Sequence, residues 1–138
     1  MQLKESVVTP VVLVDWTGSI ASNQNIPTST AGDAFSVYSS IALEQSASVK
    51  LTSGKLYKVY GYNSSITAQY IQIHNVDSNI SNGVVPLAAI QAPAVSMFSY
   101  DCTPYGIYLS TGIKITNSST LATLTKGSAN CYFNVLYK

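Results

Sequence analysis

The sequence contains no arginine: its seven basic residues are all lysines, spread out as Lys4, Lys50, Lys55, Lys58, Lys114, Lys126 and Lys138. Arginine supplies the planar fork that grips phosphate and guanine through paired hydrogen bonds, and nucleic-acid binders normally gather their cations into a stripe. With neither feature present, nucleic acid is not an expected partner. Charge of both signs is scarce. Charged residues make up 9% of the 138, against about 25% in an ordinary soluble domain, and a net charge of +1 gives little long-range steering. Disorder is not the explanation, because disordered chains pair low hydrophobicity with high charge, and here 46% of residues are hydrophobic. No apolar run is long enough to cross a membrane: residues 7–14 are too few and include Pro10. The first residues also lack a basic stretch leading into an apolar one, so no targeting segment is expected.

The groups that carry chemistry are equally sparse. There is one histidine, His74, and there are two cysteines, Cys102 and Cys131, without metal-ligand spacing. The cysteines read either as free thiols, as a reducing cytosol would keep them, or as one disulfide. The carboxylates Glu5, Asp15, Asp33, Glu44, Asp77 and Asp101 are isolated from one another, so spacing gives no hint of a paired acid and base. No phosphate-binding loop, nucleophile elbow or Cys-x-x-Cys occurs. Asp77-Ser78-Asn79 resembles a fragment of a calcium loop, but no acidic residue follows where one is needed. The expectation is a non-enzymatic chain with no metal and no cofactor.

What the sequence has in quantity is hydroxyls and amides: 20 Ser, 12 Thr and 9 Asn. These favour turns and sheet surfaces over helix interiors. No stretch keeps apolar residues at helical spacing, whereas period-two alternation recurs. Residues 7–14 read as an edge strand or extended arm, since proline cannot donate to a ladder. Residues 15–33 form a long polar connection, with Trp16 as an anchor at its start. Strands are then expected over 34–43 with Phe35, Val37, Ser39 and Ile41 on one face, over 47–51, and over 56–62. In the last of these, Tyr57 and Val59 oppose Leu56, Tyr60 and Tyr62. Residues 68–75 follow, with Ile71 and Ile73 against Tyr70, Gln72 and His74, a polar stripe that makes His74 an exposed strand residue. Asn82-Gly83 marks a positive-φ turn. Further strands are expected over 84–91, 95–101, 107–116 with a bend at Gly112, 120–126 and 130–137. In the last, Cys131, Phe133, Val135 and Tyr137 share a face. Three Asn-x-Ser sequons, at Asn63, Asn79 and Asn117, read as polar turns. Some eight to ten short strands with no intervening helix describe an all-β, single antiparallel sandwich or barrel over residues 34–138, preceded by an extended segment at 1–33.

Ten tyrosines complete the inventory. Tyrosine is a good strand former and also an interface residue, with wide apolar area, a polar tip and little entropy to lose. The interface candidates are Tyr57, Tyr60, Tyr62, Tyr70, Tyr105 and Tyr108, with Trp16. The same rings would stack on sugars, which keeps a carbohydrate site open.

The cadence Gly54-Lys55-Leu56-Tyr57-Lys58-Val59-Tyr60-Gly61-Tyr62-Asn63-Ser64-Ser65, leading into Ala68-Gln69-Tyr70-Ile71-Gln72-Ile73-His74, is followed by Pro104-Tyr105-Gly106, Ser110-Thr111-Gly112-Ile113, Thr116-Asn117-Ser118-Ser119 and Gly127-Ser128-Ala129-Asn130-Cys131-Tyr132-Phe133. Over residues 54–138 this resembles small virion structural proteins of tailed bacteriophages, of the jelly-roll capsid decoration or cement type. The resemblance implies a jelly-roll sandwich, made in the host cytoplasm and carried on the capsid surface of the virion. It further implies a homotrimer whose partner is the major capsid protein, without catalytic residues, nucleic acid or membrane. An alternative is a host-receptor or glycan-binding module of a phage fibre or tail.

Overall fold

The structure, a computed structural model, describes residues 34–138, of which 35–138 form one compact unit. The expected N-terminal arm, with Trp16, lies outside the described residues. Among those described there are nine strands and no helix: β1 (Ser36–Ser39), β2 (Ser46–Lys50), β3 (Gly54–Asn63), β4 (Gln69–His74), β5 (Ala88–Ala92), β6 (Ser96–Asp101), β7 (Ile107–Leu109), β8 (Ile113–Ser118) and β9 (Cys131–Tyr137). One sheet runs β1-β9-β3-β6, with β7 pairing the first residues of β3; the other runs β2-β8-β4-β5. Every pairing is antiparallel. The chain passes between the sheets at most connections, and the two interleaved strand orders are those of a jelly roll, an eight-stranded double Greek key, here with one strand divided into β6 and β7.

The core lies between the sheets. Ala47, Val49, Ile71, Ile73, Ala92, Ile113 and Ile115 come from the four-stranded sheet, facing Leu56, Val59, Phe98, Leu109, Cys131, Phe133 and Val135 from the five-stranded one. Alternation on β9 and β4 places these residues as their sequence pattern requires. On β3 the alternation slips. Two residues of β3, Leu56 to Lys58, span the distance that one residue of β9 covers, Tyr137 to Leu136. This bulge moves Leu56 from the face of Tyr60 and Tyr62 to that of Val59, so the assignment of Leu56 to the tyrosine face is corrected.

Other expectations also change. Residues 107–116 are not one bent strand: the chain leaves the five-stranded sheet after Leu109 and enters the other at Ile113, with Gly112 at the crossing. Residues 120–126 form a loop instead of a strand, with one isolated ladder pairing, Lys126 with Ser118. On β1 the apolar parity faces outward: Val37 is 59% exposed, and it is Tyr38 that packs on the core. Ile41 lies beyond the strand and is exposed. Two of the sequons are structural. Asn63 is fully buried, and its amide donates to the carbonyls of Thr67, Ala92 and Pro93. Asn117, also buried, donates to the Ser128 carbonyl.

Candidate interaction face

The outer faces of the two sheets differ. On the four-stranded sheet, β4 and β8 turn Gln72, His74, Lys114, Thr116 and Ser118 outward, yet all five are buried. The loop at 120–125 lies against two of them, Gln72 and Ser118. The Gln72 amide donates to the carbonyls of Thr120, Leu121 and Thr123, and the Ser118 hydroxyl accepts from the amides of Thr120 and Thr125. Leu124 is fully buried, and its backbone pairs with Gly83 and Val84. A strand residue pointing away from the core is exposed only if nothing lies over it, so the expected exposed stripe of Gln72 and His74 is corrected. Tyr70, at the edge of this face, stays half-buried.

On the same face His74 is 1% exposed, and Nε2 sits 3.1 Å from the Thr116 hydroxyl. Burial, reinforced by the Lys114 charge, lowers its pKa from 6.5 to about 4. Lys114 donates to the Ser48 hydroxyl at 2.7 Å, and burial and then Lys126 hold its pKa below the usual lysine range. Neutral His74 therefore stabilises the fold fully above its unfolded pKa. As pH falls from 6.5 towards 4, the unfolded chain binds a proton that the folded chain refuses, and up to about 3 kcal/mol is lost. Urea midpoints at pH 7 and near pH 4.5 should drop further for the wild type than for His74→Gln. Equal drops would remove His74 as the cause.

Among the described residues the outer face of the five-stranded sheet is more exposed, and its register gives the layout. Tyr132, Tyr62 and Met97 form one cross-strand row; Ser39, Asn134, Tyr60 and Ser99 form the next; Val37, Leu136, Lys58 and Asp101 form the third. Met97 is 63% exposed, with Val37, Tyr60 and Tyr132 exposed and Tyr62 and Leu136 half-buried. The rows hold one charge of each sign, Lys58 opposite Asp101. The Lys58 ammonium lies 5.2 Å from the Tyr60 ring centre, a cation–π placement. The Asp101 carboxylate accepts from the Thr103 hydroxyl and amide, which keep its pKa below the ordinary carboxylate value.

Of the sequence candidates, Tyr60 and Tyr62 share this face. Tyr57, the extra residue of the bulge, is buried edge-on against Phe35, with ring centres 4.8 Å apart. Tyr105 and Tyr108 are exposed, Tyr108 opposite Lys55. Tyr132 and Met97 belong to the face but are not among the sequence candidates. For Tyr132 a signal exists, since the inward parity of Cys131, Phe133 and Val135 sends it outward.

The reactive groups lie on separate elements. Cys102 and Cys131 are free thiols. Burial pushes Cys131 up to about 12 and also raises Cys102, so neither is primed as a thiolate. Among the described residues no three His, Cys, Asp or Glu side chains gather at a metal-binding distance. Comparison of the chain with protein-family models, with curated proteins and with solved structures found no match.

Proposed function

We propose that this chain is a non-enzymatic virion structural protein of a bacteriophage, a decoration or cement protein that binds the outside of the capsid through the outer face of its five-stranded sheet. The observation that carries this reading is the asymmetry of the sandwich. Among the described residues one outer face is buried, partly under the chain's own loop, and the other presents Tyr60, Tyr132, Met97 and Val37 exposed beside half-buried Tyr62. A tyrosine-rich surface with little charge is the composition of an interface centre. The resemblance of residues 54–138 supplies the virion setting, with the major capsid protein as partner and a trimer as the assembly. Binding to the assembled shell and not to its separated subunits stabilises the shell by mass action.

Purified heads with bound chain test this directly. Wild-type chain should be present in stoichiometric amount. Tyr60→Ala with Tyr62→Ala should lower affinity at least about tenfold, because each interface tyrosine contributes on the order of 1 kcal/mol or more. Absence of wild-type chain from the heads would end this reading.

The alternative, a glycan-binding module of a fibre or tail, draws its support from the exposed Tyr105 and Tyr108. Binding on a glycan array that disappears with Tyr105→Ala and Tyr108→Ala would favour it over the capsid reading.

A further inference from the structure

The sequence holds a single Asn-Gly pair, Asn82-Gly83. In an unstructured chain this is the asparagine step most open to deamidation, because glycine has no side chain to hinder its own amide nitrogen as a nucleophile. Attack on the asparagine side chain needs two freedoms. The glycine amide must be able to lose its proton, and the asparagine must swing its Cγ onto that nitrogen. A hydrogen bond from the amide to a carbonyl opposes the first, and a bond that fixes the side-chain oxygen opposes the second.

Both bonds are present, and both end on one short segment. The Asn82-Gly83 turn is exposed, and nothing lies within 4 Å of the place a methyl group on Gly83 would take, so water and base reach it. The Gly83 amide donates to the Leu124 carbonyl at 2.7 Å, and the Asn82 Oδ1 accepts from the Lys126 amide at 2.9 Å. The Leu124 amide returns a third bond to the Val84 carbonyl at 2.8 Å. Ile80 on one side and Leu124 on the other are buried and anchor the two partners. Chemistry at Asn82 therefore waits for residues 124–126 to lift away. The other two asparagines beside a small residue, Asn63 and Asn117, each before a serine, are fully buried with their amides engaged.

We propose that Asn82 is a site of spontaneous deamidation latched by residues 124–126, so that its modification records local opening of that segment. When the segment lifts, hydroxide takes the Gly83 amide proton and the nitrogen attacks the Asn82 Cγ. The Cγ–Nδ2 bond breaks, and ammonia leaves with a proton from water, which restores the hydroxide. Water then opens the succinimide ring at either carbonyl, giving aspartate or isoaspartate at position 82. The balance is one water consumed and one ammonia released. Isoaspartate carries the main chain through the former side chain and lengthens it by one carbon. Gly83 then loses its register with Leu124, and the latch does not re-form. The loop so released is the one whose carbonyls hold the Gln72 amide. This inference does not depend on the capsid reading.

Peptide mass spectrometry of the full chain, aged in mildly alkaline buffer, tests it, with the urea-unfolded chain as reference. Folded wild type should convert Asn82 at least about tenfold more slowly than the unfolded chain. Lys126→Pro removes the donor to Oδ1, and Leu124→Ala weakens the anchor. Each should raise the folded rate at least about threefold while the unfolded rates stay alike. The core amides of Val59 and Ile115, still slow to exchange in these variants, would assign the gain to local opening. In isoaspartyl chain separated from the rest, the Leu124 amide should exchange at least about tenfold faster than in unmodified chain. The proposal fails if folded and unfolded chains convert equally fast, if the unfolded chain does not convert, or if neither variant moves the folded rate. It also fails if the gain only matches lost protection at Val59 and Ile115, or if isoaspartate leaves Leu124 exchange unchanged.

Discussion

Gly61→Ala is expected to cost more than about 4 kcal/mol and to leave little folded protein, because Gly61 has the closest approach of any described glycine. Gly61 lies in the middle of β3, opposite Phe98 on β6 and Phe133 on β9. A Cβ at this position would overlap the Tyr132 carbonyl oxygen and come within 2.8 Å of the Phe98 ring and 2.9 Å of the Tyr132 carbonyl carbon. Most of that is the β9 backbone, which can yield only by parting the two central strands. Gly83 makes the contrast. It has a φ of +92°, but nothing lies within 4 Å of the place a methyl group would take, so Gly83→Ala should cost only the left-handed conformational penalty of about 1–2 kcal/mol. Far-ultraviolet circular dichroism and urea melts of the two variants give the comparison. A Gly61→Ala protein as stable as Gly83→Ala would mean that β3 and β9 are not packed as described.

Phe133→Ala should destabilise by about 3–5 kcal/mol. Phe133 is fully buried at the centre of β9, and its ring meets that of Phe98 at 6.3 Å between centres and 60° between planes. Truncation opens a cavity where both sheets contribute side chains, and strands tied into ladders on both sides have little freedom to collapse into it. A domain of this size is stable by about 5–15 kcal/mol, so a fifth or more of the total would be lost and Tm would fall by on the order of 10–20 °C. Phe133→Leu, which keeps most of the volume, should cost well under half as much. Equal losses for the two variants would place Phe133 outside the core.

Both sites show how far the sequence can be read. The inward face of β9 follows from alternation, because Cys131, Phe133 and Val135 are apolar and the residues between them, Tyr132 and Asn134, are amphipathic and polar. Ile71 and Ile73 follow in the same way, as does the positive φ at Gly83 in its Asn-Gly turn. Gly61 shows none of this to a reader of the sequence. A glycine inside a strand signals close approach by some backbone, but only the paired structure identifies it as that of Tyr132. Leu56 reads onto the wrong face because a bulge shifts parity by one without leaving a mark in composition. His74 and Gln72 read as exposed because period two separates inside from outside the sandwich, but not outside from covered.

The sequence alone determined that this chain makes strands, that the strands have an apolar side, and where most turns fall. These are consequences of neighbours along the chain: side-chain alternation, β-branching and the φ preferences of Gly, Asn and Pro. Tertiary structure decided which strands pair and, among the described residues, which of the two outer faces is buried. Those outcomes depend on contacts between segments far apart in sequence, such as Gln72 with Thr120 or Ser40 with Phe133, and no local pattern encodes them. The tyrosine-bearing outer face is therefore a feature of the fold, built from residues whose individual preferences say only that they belong in a sheet.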